Sequence, residues 1–191
     1  MQLEVTKSSE KELTFTASGV TTSLMNAVRR FGVSALPVFA IEKVTFYENN
    51  TSLFDEYIAN RVGLVPIKTP DGYKADETVL FSLDKSAAGT VYSKALKSGD
   101  AKVAVANNDI PIIKLSEGQE IRLEAQARQG TAKEHARFQA GLIAYGKDGD
   151  EFKVTVESFG QMPAKEMLVR SVDLLEEKLE EFEKALKKAE D

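Results

Sequence analysis

Hydrophobic positions change their spacing twice in the first fifty residues. Leu3 and Val5, then Leu13, Phe15 and Ala17, alternate with polar neighbours. That period of two predicts a pair of strands joined through Lys7-Ser8-Ser9-Glu10, with Gly19 ending the hairpin. Leu24, Ala27, Val28 and Phe31 then fall at i, i+3, i+4 and i+7, one face of a short helix. A hydroxyl at Thr21 or Thr22 is placed to accept from the unpaired first-turn N–H groups, Gly32 lies where such a helix would stop, and Pro37 bars its continuation. From Val38 to Tyr47 the chain is rich in Val, Ile, Phe and Thr and reads as a strand.

Ser52-Leu53-Phe54-Asp55 fits a capping box opening a second helix through Gly63, with Phe54, Tyr57, Ile58 and Val62 as its apolar positions. Beyond Pro66 come short β-rich runs separated by turn signals: Val79 to Leu83, Val91 to Leu96, Ile110 to Leu115, Ile121 to Ala127 and Phe138 to Tyr145. Ile121, Leu123, Ala125 and Ala127 give the clearest alternation. The tight polar turn Gly146-Lys147-Asp148-Gly149-Asp150 leads into a further strand carrying Phe152, Val154 and Val156.

The last segment, from about Pro163 to Glu190, reads as one long helix. Leu168, Val172, Leu175, Leu179, Phe182 and Leu186 are spaced 4, 3, 4, 3, 4, an unbroken heptad repeat of apolar positions. At 1.5 Å per residue this stripe is about 27 Å long, more than the roughly 20 Å of a six-residue strand. Complete burial of six such side chains is worth roughly 10–18 kcal/mol of gross hydrophobic free energy. The periodicity leaves two arrangements open: a helix packed wholly on its own sheet, or one shared between that sheet and a second subunit.

The chain has 191 residues, 42% hydrophobic and 29% charged, enough to bury a core in one large domain or two small ones. A net charge of −5 argues against gripping nucleic acid through overall charge, and the absence of Cys removes disulfides, thiol catalysis, iron–sulfur clusters and thiolate zinc sites. No metal or cofactor site is expected. The N-terminal ten residues lack the apolar core of a signal peptide, and Ala35 to Ile41, interrupted by Pro37, is too short to span a bilayer. A soluble, cytoplasmic protein is predicted, in which the N-x-[ST] patterns at Asn49 and Asn50 carry no weight.

Little in the chain points to catalysis. His135, the single histidine, lies in Gly130-Thr131-Ala132-Lys133-Glu134-His135-Ala136-Arg137-Phe138, without a nucleophile elbow, and reads as a structural or interface residue. Asp55 and Glu56 are adjacent on a helix and so point to different faces; helix-dipole compensation accounts for them. The glycines form no phosphate-binding loop, and Arg29-Arg30 is by default a solvated or ion-paired face.

Three segments together resemble a known family. Leu24-Met25-Asn26-Ala27-Val28-Arg29-Arg30, with Leu36-Pro37-Val38-Phe39-Ala40-Ile41 after it, is similar to the N-A-L-R-R … P-T-x-A-I signature of the alpha-like subunits of cellular RNA polymerases. The run from Tyr47 to Ile67 (Y-E-N-N-T-S-L-F-D-E-Y-I-A-N-R-V-G-L-V-P-I) resembles a longer signature of the archaeal and eukaryotic branch, and Gly130 to Phe138 is similar to its G-x-G-K-x-H-A-K-W loop. Order and spacing fit the archaeal D-type subunits, counterparts of the bacterial alpha N-terminal region.

The resemblance implies an α+β fold: a discontinuous dimerisation domain, an antiparallel sheet plus helices from about 1–47 and 148–191, with a mostly β insert domain at about 48–147. It implies a non-catalytic assembly subunit that heterodimerises with a small subunit, L. With the zinc-binding subunits N and P, that pair forms the platform on which the large subunits assemble, with no direct nucleic-acid contact and no membrane. The partner seam would be Asn26 with Leu168, Val172, Leu175, Leu179, Phe182 and Leu186. Contacts to large subunits would come from Arg29 and Arg30, and from Asp55, Glu56, Arg61, Lys133, His135 and Arg137 toward the second-largest one. A homodimeric alpha-type scaffold and a non-polymerase binding module are the alternatives. Asn60 stands where the family often has His, Phe138 where it often has Trp, and Thr131-Ala132 interrupts the glycine-rich loop. The five-residue turn at Gly146–Asp150 takes the place of the cysteine-rich domain that many relatives carry, so a form without iron–sulfur clusters is expected.

Overall fold

The computed structural model describes residues 1–74 and 76–189, and divides into two compact units. The first comprises Met1–Leu36, Thr131–Lys133 and Gln139–Asp191; the second comprises Pro37–Gly130 and Glu134–Phe138.

In the first unit, β1 (Gln2–Ser8), β2 (Glu12–Ser18), β9 (Gly141–Asp148) and β10 (Glu151–Ser158) form an antiparallel sheet in the order β1-β2-β10-β9. The alternation read from the sequence is realised here. Leu13, Phe15 and Ala17 of β2, and Phe152, Val154 and Val156 of β10, are all buried on one face. Helix α1 (Thr22–Ser34) packs on β9, while α3 (Ala164–Ala189) packs on β2 and β10 and crosses α1. Thr21 caps α1, its hydroxyl accepting from the Leu24 N–H at 3.2 Å. Gly149, at φ 57, makes the turn between β9 and β10. The expected helix end at Glu190 lies outside the described residues.

Gly32 does not end α1. The helix continues to Ser34, and a Cβ built on Gly32 would lie 2.3 Å from Ile143 Cδ1 and 2.7 Å from Ser171 Oγ. The glycine provides room for the approach of α3 rather than a helix stop. The face of α1 that is buried is Met25, Val28 and Gly32, turned by about one residue from the stripe expected, and Leu24 remains exposed.

In the second unit, β3 (Val38–Asn49), β8 (Ile121–Gly130), β4 (Thr78–Lys85) and β6 (Lys97–Ser98) form a sheet in the order β3-β8-β4-β6, and β5 (Gly89–Tyr92) pairs with β7 (Pro111–Leu115). Phe39, Ile41, Phe81, Leu83, Ile112, Leu115 and the Ile121/Leu123/Ala125/Ala127 series fill the core, joined by Ile58 and Val62 of α2 (Asp55–Gly63). Helix α2 starts at Asp55, three residues after the expected cap, because Ser52 makes no capping bond. No side chain caps the helix; Asn49 instead ties down the turn before it, its Nδ2 donating to Leu53 O at 2.9 Å and to Asp55 Oδ1 at 2.7 Å. Phe54 and Tyr57, counted as apolar core positions from the spacing, are exposed.

The unit boundaries differ from those expected at 47/48 and 147/148. Strand β3 pairs along its length with β8 and so belongs to the second unit, while β9 pairs along its length with β10 and belongs to the first. Hydrogen-bonded ladders decide where the chain divides.

Candidate functional site: the exposed seam and the clamped loop

Helix α3 has two apolar stripes. Ala164, Met167 and Ser171 are buried in the first unit, and the Ser171 hydroxyl donates back to Met167 O at 2.6 Å. The heptad series lies beside this stripe. Leu168 and Leu175 are half-buried, whereas Val172, Leu179, Phe182 and Leu186 are 45, 62, 61 and 49% exposed. From Glu176 to Ala189 every residue is exposed, so the second half of the helix makes no use of its own unit for burial. Its surface is laced by Lys178–Glu181, Lys184–Glu180 and Lys187–Glu183 ion pairs at helical spacing, which support a solvated helix but leave the apolar stripe bare.

More apolar surface is open on the same unit. Leu24 of α1 is exposed, as are Leu3 and Val5 of β1. In register, Leu3 lies opposite Ala17 and Val5 opposite Phe15, so both are on the helix-bearing face of the sheet, on an edge strand that the helices do not cover. Of the polar residues expected in the seam region, Asn26 is engaged internally. Its Oδ1 accepts from the Tyr145 hydroxyl at 2.9 Å and from Arg29 Nη2 at 3.5 Å. Arg30 is exposed, and Lys133 is an exposed residue of the first unit.

The second unit holds a different kind of construction around residues 134–138. Strand β3 bulges between Ile41 and Lys43, which takes Glu42 out of register with β8. A bulge re-aims a side chain and frees backbone groups. Arg128 makes a forked contact with the Glu42 carboxylate, Nε to Oε2 at 2.6 Å and Nη2 to Oε1 at 2.5 Å, and Nη2 also reaches Glu134 Oε2 at 3.0 Å. Its guanidinium lies 5.0 Å from the Phe138 ring centroid. Arg137 Nη1 donates to Ile41 O at 3.0 Å, one of the carbonyls beside the bulge. Arg137 also donates from its backbone N–H and from Nε to His135 Nδ1, at 3.1 and 3.2 Å. The hydrogen bonds from Arg128 hold the Glu42 carboxyl below its ordinary pKa, and the same pair raises that of Arg128.

The sequence-predicted residues therefore divide. Asp55 and Glu56 are exposed at the N-terminus of α2, while Arg61 is turned to its own unit, with Nε donating to Ile112 O at 2.7 Å and Nη2 to Pro111 O at 2.5 Å. Arg137 is half-buried in the clamp and His135 is exposed beside it. The Arg128–Glu42 fork has no counterpart in the sequence reading, because nothing short of the register shows that a bulge brings Glu42 within reach of Arg128, whose own partner in the ladder is Ala40. Also unanticipated is the exposed apolar surface of Phe54, Tyr57 and Leu64 on and just after α2. Among the described residues, no group of three or more His, Asp or Glu side chains is placed to hold a metal ion, and no helix is long and apolar enough to cross a membrane.

Residues 44–149 match the family model described as the RNA polymerase Rpb3/RpoA insert domain. The chain is 44% identical over 161 residues to DNA-directed RNA polymerase subunit Rpo3 of Methanocaldococcus jannaschii, covering 84% of this chain and 83% of that one. The chain belongs to the Rpb3/RpoA family of RNA polymerase subunits. To the Rpo3 of Pyrococcus horikoshii it is 40% identical over 152 residues, which are 76% of this chain and 59% of that relative. With the Rpo3 of Halobacterium salinarum it shares 30% identity over 232 aligned positions, 93% of this chain and 94% of the other. That alignment is longer than this chain, so the Halobacterium family member has residues without a counterpart here. The Rpb3/RpoA insert match ends at residue 149 and so includes β9, which the structure pairs with β10 of the first unit.

Proposed function

We propose that this chain is a non-catalytic assembly subunit of a DNA-directed RNA polymerase that forms a heterodimer with the small subunit L through the first unit. The observation that carries the reading is the bare stripe of Val172, Leu179, Phe182 and Leu186, on a helix whose neighbouring stripe already holds its own unit together. Leaving those four side chains in water forgoes roughly 1.5–3 kcal/mol apiece, and a partner's apolar helix recovers it. Leu24, Leu3 and Val5 add further exposed apolar side chains on the same unit.

The pair would then be the base on which N, P and the second-largest subunit dock. A pre-formed base lowers the entropy lost when large subunits associate. The clamped 134–138 segment, held by Arg128 and Arg137, supports a role as one rigid contact for the second-largest subunit, with His135 as its exposed group. Asp55, Glu56 and the exposed Phe54 and Tyr57 supply a second. Arg29 and Arg61 act on this reading through the elements they hold, and Arg30 and Lys133 are free for direct contact. Such a complex would work in the cytoplasm, without membrane or direct nucleic-acid contact.

Co-expression with an L subunit, followed by light scattering of the purified complex, tests the reading. A one-to-one heterodimer is expected, and Leu179→Lys should abolish it. A stable homodimer of this chain alone, unaffected by L, would favour the alpha-type scaffold instead.

A further inference from the structure

The second unit has a strand with one open edge above an acid-free basic groove. Strand β5 pairs with β7 on one side and has no ladder on the other among the described residues. The two-stranded sheet is asymmetric in how its edges are finished. On the β7 side, Arg61 donates to the carbonyls of Pro111 and Ile112, so a side chain covers that edge. The β5 side opens onto a cavity of about 380 Å³ that runs past the end of β4 to β6. Its lining includes Lys85, Lys94 and Lys97 and contains no Asp or Glu, in a chain whose net charge is −5. All three lysines are exposed, and Lys94 Nζ stands 5.6 Å from the ring centroid of Tyr92, which also faces the groove. Ala87, Ala88 and Gly89 form one wall, where small side chains let another backbone come close, and a Cβ built on Gly89 would meet nothing within 4 Å.

We propose that this groove binds an acidic, extended peptide segment of a partner protein, which adds to the free edge of β5 as a further strand with its carboxylates among Lys85, Lys94 and Lys97. Strand addition supplies main-chain hydrogen bonds in a fixed register, and charge complementarity selects the segment. With strand residues rising about 3.3 Å each, β5 has room for about four partner residues, which matches three lysines rather than a long polyanion track. Nucleic acid fits less well: a sugar-phosphate chain offers the lysines charge but cannot continue a β ladder, and Tyr92 is the one aromatic ring in the lining. Edge lysines also serve to keep strands from pairing at all, and the experiment separates that role from binding. The proposal is independent of the seam on α3.

The test uses the full chain and a fluorescein-labelled decapeptide that alternates glutamate with valine or threonine, read by anisotropy. Saturable binding is expected, weakened roughly tenfold when Lys85, Lys94 and Lys97 are all changed to Gln. A similar loss is expected when the peptide is N-methylated at alternate residues on its pairing edge. Hydrogen exchange of the β5 amides should slow on binding, and Leu179→Lys should bind the peptide as the parent does. No saturable binding up to millimolar peptide would overturn the proposal and leave the lysines as guards of the edge. Equal binding of the N-methylated peptide, or of a ten-residue oligo-dT, would overturn it in favour of simple polyanion attraction.

Discussion

The ring of Phe138 occupies the space that a side chain at Gly130 would need: a Cβ built on Gly130 lies 2.8–2.9 Å from three of its ring carbons. Phe138 is buried, and its ring also lies under the Arg128 guanidinium, so it has little freedom to retreat. Gly130→Ala should therefore destabilise the second unit by about 1–3 kcal/mol, the usual range for overpacking. Combining it with Phe138→Leu should recover part of that loss in urea denaturation. Strictly additive losses in the double variant would contradict the steric account.

The two stripes of α3 predict opposite outcomes for the same substitution. Met167 is completely buried, so Met167→Lys places an unpaired charge in the core and should cost several kcal/mol or unfold the first unit. Leu179→Lys should leave the isolated chain within about 0.5 kcal/mol of the parent, as surface changes do. Thermal melts of the two variants, without any partner, check this directly.

The Glu42–Arg128 fork adds an acid-sensitive contribution. Because the folded state lowers the Glu42 pKa from its ordinary 4.5, the contribution is present above that value and is lost as the pH falls through the lowered one. Glu42 is nearly half exposed, so the effect should stay within about 1 kcal/mol. Glu42→Gln should flatten the pH dependence of the denaturation midpoint below pH 4.5. An unchanged acid slope would count against the fork.

Tyr73 and Asp100 give the alkaline counterpart. The Tyr73 hydroxyl donates to Asp100 Oδ2 at 2.7 Å, and that hydrogen bond to a carboxylate pushes its pKa up from 10 to about 12. The folded pKa is raised, so the stabilisation is complete below pH 10 and is lost as the pH rises through about 12. Subtracting the tyrosinate absorbance titration of Tyr73→Phe from that of the parent should leave a step near pH 12. A difference step near pH 10 would mean that the pair does not form.

Much of this architecture is legible in the chain because burial leaves a period. The Ile121/Leu123/Ala125/Ala127 alternation becomes β8 with every one of those residues buried, and the heptad from Leu168 to Leu186 becomes one helix. The inner stripe of the same helix is not legible, since Ala164 and Ser171 are small or polar and mark a face only by letting another helix approach. Gly32 fails for a related reason: a glycine needed for room next to Ser171 looks in sequence like one needed to stop a helix. The clamp around Glu42 was hidden more deeply. Its geometry depends on a bulge between Ile41 and Lys43, and register is set by the partner strand, 80 or more residues away in the chain, rather than by local composition.

The interruption of the first sheet also sets a schedule. Strand β2 ends at Ser18, yet its neighbour β10 begins only at Glu151, after the entire second unit has been translated. At about 5–20 residues per second the hairpin waits roughly 7–27 seconds on the ribosome with Leu13, Phe15 and Ala17 uncovered, while the intervening unit has all its own strands in hand. A nascent chain halted before Glu151 thus has a folded middle and a sticky, unfinished beginning. It offers no α3 to the partner proposed for that helix, so on that proposal pairing would itself check that translation has passed that point.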